Sequence, residues 1–257
     1  MNSATPTEPV LSLVIPAYNY ADQIDSNVRL IQELLTHYRE SFELILVNDG
    51  SSDDTPQQMQ KLAKDFSTTR VISYEKNRGK GFAVKQGIEA AKGDYVFFTD
   101  VDLPYGLDPI FTGIEILNRD PVDIILGSRD LAESHDILSY GLKRKIAKKG
   151  FNMVVNSFLR LGIKDTQCGL KGFRREVALD IFSQVSREDF SFDVEVLFLA
   201  KRKKYRIQFV PVHLKHSAVS TVSVIRDSLK MFGSVLIITC NYWRGKYDFN
   251  NLNERKP

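Results

Sequence analysis

Asp100 and Asp102 stand two residues apart at the end of an apolar run, in the stretch FFTDVDLPYG at 97–106. Alternation along an extended strand would send both carboxylates to one side, where they repel unless a positive charge lies between them. The pair therefore reads either as a cation site or as a solvated turn. Carboxylate oxygens suit a hard ion such as Mg2+ or Mn2+, and such an ion suits a diphosphate. Three other stretches carry groups that would complete a site of that kind. In VIPAYNY (14–20), Tyr18 offers a face for a nucleobase and Asn19 a polar contact. In LVNDGSSDDT (46–55), Asp49 suits either acceptance from a base N–H or a turn beside Gly50, whereas Asp53 or Asp54 suits the cap of a following helix. In NRGKGFAVKQG (77–87), Gly79 and Gly81 flank Lys80 at a helix start, where backbone N–H groups and a lysine suit a diphosphate. The glycine and lysine spacing is not that of a P-loop.

The elements that must hold these residues follow from hydrophobic periodicity. Apolar runs at 11–16, 42–47, 70–74, 95–98 and 122–126 read as strands. Helical patterns intervene at 24–35, 56–66 and 82–91. This alternation predicts an α/β fold with a mostly parallel sheet, right-handed crossovers and flanking helices. Sheets of this kind bind ligands beyond the carboxyl ends of their strands. Asn19, Asp49, residues 77–80 and Asp100 to Asp102 each follow a different strand, so they are expected on one rim. The second half reads as a helix over 142–161, a loop and short strand over 165–177, a helix over 192–200 and a strand over 207–212. A last helix over 222–242 would set Ile225, Leu229, Phe232 and Leu236 on one face. Residues 1–9 are expected to be a disordered tail, 10–220 the folded domain, and 221–257 an amphipathic helix and tail.

Composition bounds the alternatives. A chain of 257 residues, 43% hydrophobic and 26% charged, fits one large α/β domain. A net charge of +3 is too small to suggest nucleic acid. The basic residues nevertheless cluster, at Lys143-Arg144-Lys145, Lys148-Lys149 and Lys201-Arg202-Lys203-Lys204. Two cysteines, Cys168 and Cys240, make no disulfide framework and read as reduced thiols in the cytoplasm. The N-terminus carries no secretory pattern. The apolar stretch MFGSVLIITC is about half the roughly 20 residues a spanning helix needs. Peripheral attachment to the cytoplasmic face of a membrane is the expectation.

Taken in order, VIPAYN (14–19), LVNDGSSDDT (46–55), NRGKG (77–81) and TDVD (99–102) resemble glycosyltransferase family 2, whose members use the Rossmann-like GT-A nucleotide-sugar-binding fold. GSRD (127–130), DTQCGLKGFRREV (165–177), FSFDVEVLFLAKRKKYRIQFVPV (190–212) and RDSLKMF (226–232) look like the polyprenyl- and dolichyl-phosphate sugar transferases, above all the dolichyl-phosphate β-glucosyltransferase type. The resemblance implies a donor site made by Pro16, Tyr18, Asn19, Asp49, Lys80, Asp100 and Val101. It implies Mg2+ or Mn2+ on Asp102 and Asp100, and a catalytic set of Asp100, Asp102, Arg129 and Lys171. It also implies inverting transfer of a hexose, glucose first, from UDP-glucose or alternatively GDP-mannose to a polyprenyl phosphate. A glycan or soluble hydroxyl acceptor, and a non-catalytic nucleotide-sugar-binding protein, are the alternatives.

A lipid phosphate monoester, with a second pKa of about 6, is already largely dianionic at neutral pH and needs cations to place it, not a base. Arg129 and Lys171 match basic positions of the resembling enzymes, and Lys171 reads equally as an exposed strand residue. Asp193 and Glu195, at the head of a helix pattern, form a second set of base candidates. The chain departs from the pattern at Tyr20, where many relatives have glutamate, and at Asn48, which replaces the first of two aspartates. Pro104 stands where mannosyl relatives often have a metal-binding glutamine. The lone tryptophan, Trp243, lacks the Gln-x-x-Arg-Trp context of processive synthases.

Overall fold

The computed structural model describes residues 8–38, 40–129, 157–163, 165–213 and 224–249, with the side chains of 224–232 excepted. The tail before residue 8, most of the helix expected over 142–161 and the basic clusters at 143–149 lie outside the described residues, as do the side chains of Ile225, Leu229 and Phe232.

Seven strands form one sheet in the order β3-β2-β1-β4-β6-β5-β7. They are β1 (Leu11–Ala17), β2 (Phe42–Asp49), β3 (Thr69–Tyr74), β4 (Tyr95–Phe98), β5 (Ile124–Ser128), β6 (Lys171–Arg174) and β7 (Ile207–Pro211). The helices are α1 (Ile24–Thr36), α2 (Thr55–Asp65), α3 (Lys80–Glu89), α4 (Asp108–Arg119), α5 (Arg175–Phe182), α6 (Phe192–Arg202) and α7 (Val224–Trp243). The central strands are apolar on both faces because helices cover both. Leu11, Leu13 and Ile15 of β1 pack with Ile24, Val28 and Ile31 of α1, Met59 and Leu62 of α2, and Ile110 and Ile114 of α4. On the other face Val14 packs with Ala83, Val84 and Ile88 of α3, and with residues of α5 and α6.

Three details add to the sequence expectation. β1 runs through Pro16, which pairs with Val47 of β2, while its pairing with β4 ends at Val14. Proline's missing N–H therefore falls where the second neighbour has already left. Helix α4, with Pro109 in its first turn, lies between the fourth and fifth strands and was not among the patterns read. Strand β6 is antiparallel to β4 and β5, so the sheet is mixed. Its Lys171 lies opposite both Phe98 and Leu126, at the end where β4 finishes and the polar loops gather.

Helix α7 is partly built into the domain: Val235 and Ile238 are buried in the same cluster as Phe198 of α6. Leu236, assigned to the apolar face by spacing, is exposed.

Gly172 of β6 sits beneath the Phe97 ring, and a Cβ there would lie 2.1 Å from a ring carbon. Phe97 is fully buried and has no room to retreat. Gly172→Ala is expected to lower unfolding free energy by about 1–3 kcal/mol through overpacking. Gly233→Ala in α7, where a Cβ meets nothing within 4 Å, is expected to raise it by roughly 0.5–1 kcal/mol. Denaturant midpoints of the two variants check both signs.

Candidate active site

The first two loops are stitched together at the carboxyl ends of β1 and β2. Asn19 adopts a left-handed backbone (φ 53°), a conformation that asparagine tolerates. Its N–H donates to Ser51 Oγ at 2.9 Å, and its side-chain oxygen accepts from the Ser52 N–H at 2.8 Å. The Tyr20 N–H donates to Thr55 Oγ1 and the Ala21 N–H to Asp53 Oδ2. Asp53 also accepts from the Thr55 N–H, and these donors hold its carboxyl below the usual range against the opposing effect of burial. Tyr18 remains exposed beside this seam.

Asp49 is buried, and its two oxygens serve four donors. Oδ1 accepts from Tyr74 Oη at 2.8 Å and the Arg78 N–H at 2.9 Å. Oδ2 accepts from Asn77 Nδ2 at 3.0 Å and the Gly79 N–H at 2.9 Å. The carboxylate read from sequence as a base contact thus anchors the third loop onto the second. The start of α3 is occupied from the other side: the Glu188 carbonyl accepts from the N–H groups of Gly81 at 2.7 Å and Phe82 at 3.2 Å. The backbone cradle expected at this glycine loop is therefore already filled, because the segment before α6 lies across the helix end. Glycine is required for that approach. A Cβ on Gly79 (φ 104°) would meet the Glu188 carbonyl oxygen at 2.5 Å, and one on Gly81 would meet the Arg187 carbonyl oxygen at 2.7 Å. Arg78 pairs with Glu188 and stacks over Phe82, 3.6 Å from the ring centroid.

Lys80 is left to carry the loop's charge inward, and its ammonium pairs with Asp100. Burial works against the charged lysine, but Asp100, then Asp193, outweigh it and hold its pKa above the usual value. The Asp100 carboxylate does not extend a strand. β4 ends at Phe98, and the Leu103 N–H donates back to the Asp100 carbonyl at 3.0 Å, closing a turn. Strand alternation therefore does not set the two aspartates. The turn does, with Leu103 held at φ 43°, a costly conformation for leucine. Val101 and Leu103 are buried beneath it. Both carboxylates still act on one point: burial, then Asp102 and Asp100, raise the pKa of the Tyr20 hydroxyl. Gly169 makes room for Asp100, since a Cβ there would lie 2.5 Å from Oδ2.

The second-half residues form two ion pairs. Arg129 grips Asp165 through Nε at 2.9 Å and Nη2 at 2.6 Å, and its N–H donates to the same carboxylate at 3.1 Å. Burial disfavours the guanidinium charge, yet this pairing leaves its pKa above the ordinary value. Lys171 is 1% exposed, not an outward strand residue. Its Nζ donates to Asp193 Oδ1 at 2.6 Å and to the Cys168 carbonyl at 2.8 Å. Glu195 is equally committed: it accepts from the N–H groups of Ser186 and Arg187 and from the Ser186 and Tyr247 hydroxyls. Asp165, Gly169 and the Glu188 carbonyl were missed in the sequence. Only the polar density of DTQCGLKG hinted at the first two.

Opposite charges distinguish this rim. A cavity of about 530 Å³ lies at the other end of β4, lined by residues such as Tyr95, Arg174 and Glu176. Among the described residues no three metal-binding side chains come together. Asp100 and Asp102 supply hard oxygen donors, and Asp100 already holds one cationic group in Lys80. That donor set fits a divalent cation, which would take its remaining ligands from a phosphate and water.

Comparison with known proteins bears on the family and the fold. The family profile described as glycosyl transferase family 2 matches residues 12–182. Dolichyl-phosphate beta-glucosyltransferase of Saccharomyces cerevisiae is 32% identical over 95% of this chain and 78% of its own length. The Homo sapiens protein of the same name is 30% identical over 92% of this chain and 77% of its own. Among solved structures, glucosyl-3-phosphoglycerate synthase from Mycobacterium tuberculosis, crystallised with Mn2+, UDP-glucose and phosphoglyceric acid, aligns with a TM-score of 0.61. That alignment has 18% identity and covers 90% of this chain and 80% of the other. At that identity it establishes the GT-A-like fold.

Asp49→Asn places an amide N–H2 against two of the four donors. It is expected to cost about 1–3 kcal/mol of stability. It should also accelerate hydrogen exchange selectively at the Arg78 and Gly79 amides, as followed by mass spectrometry or NMR.

Proposed function

We propose an activity from one premise: the chain belongs to glycosyltransferase family 2. On our reading it transfers glucose from UDP-glucose to a polyprenyl phosphate of the dolichyl type, with inversion, giving a β-linked lipid-phosphate sugar. The observation that carries this reading is the carboxylate pair Asp100 and Asp102 at the rim, beside the partly buried Lys80. Asp100 and Asp102 would hold Mg2+ or Mn2+, which supplies charge neutralisation for the departing nucleoside diphosphate. On this reading Tyr18 and Asn19 would contact the nucleoside, and Pro16 and Val101 would line the donor site. Asp49 supports the donor site by fixing the Lys80 loop.

In the transfer, an acceptor phosphate oxygen forms a bond to the anomeric carbon while the bond from that carbon to the diphosphate oxygen breaks. The electron pair leaves with the diphosphate, and a dianionic acceptor needs no proton removed. The commitments of Asp193 to Lys171, and of Glu195 to four donors, favour this acceptor over a hydroxyl, which would need a base. Arg129 is the cation nearest in role to an acceptor-phosphate contact, and Lys171 supports the same turn from within.

The lipid acceptor implies a membrane surface. No helix among the described residues is long and apolar enough to cross a membrane. Leu236, Ile237, Cys240 and Trp243 are exposed along one side of α7, with Trp243 80% accessible. Arg202 stacks on Tyr242 at 4.4 Å, and exposed Arg244 and Lys246 follow the helix. An apolar stripe with basic flanks suits an anionic lipid interface.

The purified chain, given a panel of nucleotide sugars and a short polyprenyl phosphate, is expected to consume UDP-glucose only when Mn2+ or Mg2+ is present. Asp102→Asn should lower turnover on the order of 100-fold or more. Wild-type rates in that variant would remove the metal role, and transfer to simple sugars with none to the lipid would remove the acceptor. Trp243→Ser combined with Leu236→Ser should reduce cosedimentation with phosphatidylserine vesicles several-fold. An unchanged bound fraction would exclude this face as the membrane contact.

A further inference from the structure

Lys171 holds the buried carboxylate of Asp193, and Lys80, paired with Asp100, lies within the electrostatic reach of the same carboxylate. Lys171 Nζ engages Asp193 through Oδ1 at 2.6 Å, and a carboxylate keeps a second oxygen for another donor. The helices that carry Lys80 and Asp193 touch at their first turns: a Cβ on Gly81 would lie 2.7 Å from the Cβ of Phe192. Asp193 is 5% exposed, so any cation it receives must come from within the protein. After Asp100, Asp193 is the anion acting most strongly on Lys80. Asp100 is more open, with its side chain 39% exposed, and its Oδ1 is engaged by Lys80 while Gly169 leaves space beside Oδ2.

A divalent cation bound at Asp100 and the Lys80 ammonium repel each other and compete for the same oxygens. We propose that Asp193 is a positioning residue that receives Lys80 when a divalent cation takes Asp100, so that the lysine moves between two carboxylates. The inference rests on the cation site of the proposed function. It assigns Asp193 a task other than that of a general base. Transfer of the lysine keeps its charge compensated at both ends, since leaving it buried beside a metal ion without an anion would be costly. It also leaves the ammonium close to the site where a donor diphosphate would lie.

The test is a Mn2+ titration of the full chain, read from the electron paramagnetic resonance signal of free Mn2+, first without nucleotide and then with UDP. Lys80→Met is expected to tighten Mn2+ binding without nucleotide by roughly 3- to 10-fold, because the competitor is gone. Asp193→Asn is expected to weaken it by a similar factor, because Lys80 then has only Asp100. In the Lys80→Met background the Asp193→Asn effect should largely vanish. A general loss of negative charge, or a structural role alone, would weaken binding equally in both backgrounds, and that result overturns the proposal. If Asp193→Asn fails to fold around the unpaired Lys171, the same cycle is run in a Lys171→Met background, where the buried charge is removed as well. Wild-type protein that binds no Mn2+, with or without UDP, would overturn the cation site and this inference with it. Tight wild-type binding with no dependence on Asp193 would overturn the inference alone.

Discussion

An antiparallel strand set between two parallel neighbours must begin where they end. Strand β6 pairs with β4 on one side and β5 on the other, and it starts at Lys171, opposite Phe98 and Leu126. The loop ahead of it is thereby forced onto the rim that already carries Asp100 and Arg129. This one topological choice brings Asp165 to Arg129, the Cys168 carbonyl to Lys171, and Gly169 against Asp100. Both halves of the chain become one site because of it.

Buried carboxylates then set the loops in place. Asp49, Asp165 and Glu195 each accept several hydrogen bonds, and in each case backbone N–H groups outside the regular elements are among the donors. A buried anion that lacked such partners would be costly, so each one makes its loop's conformation the favourable one. The segment from Ser186 to Ser191 shows the result. Glu195 fixes its start, Asp189 accepts from the Ser191 N–H, and the Glu188 carbonyl is left to cap α3. Helix starts that could attract a phosphate are instead used to lock one loop to another, and the attraction for anions passes to side chains.

The rim is consequently organised as an alternation of charge. Asp100 meets Lys80, Lys80 lies near Asp193, and Asp193 meets Lys171. Asp102 adds a further negative charge beside Asp100, felt at Tyr20 and Lys80. Charges so arranged stabilise one another at low cost only while every member keeps a neighbour of opposite sign.

Strand-and-helix alternation in the first 130 residues was legible because buried strands and amphipathic helices impose different periods on the same apolar residues. The rim followed from it, since Asn19, Asp49, Lys80 and Asp100 each come after a strand of a parallel sheet. Family membership was legible too, in the order of four short motifs. What each polar group touches was decided only in three dimensions. Asp49, read as a base contact, holds a loop through four donors, and Lys171 is buried on Asp193 and not an exposed strand residue. The strand that carries Lys171 is four residues long, too short to announce its direction, and its partners are 73 and 45 positions away in sequence. Hydrogen-bond partners at such separations leave no local pattern. A sequence can list the charges a site needs, but their pairing depends on which backbones pass close enough to meet.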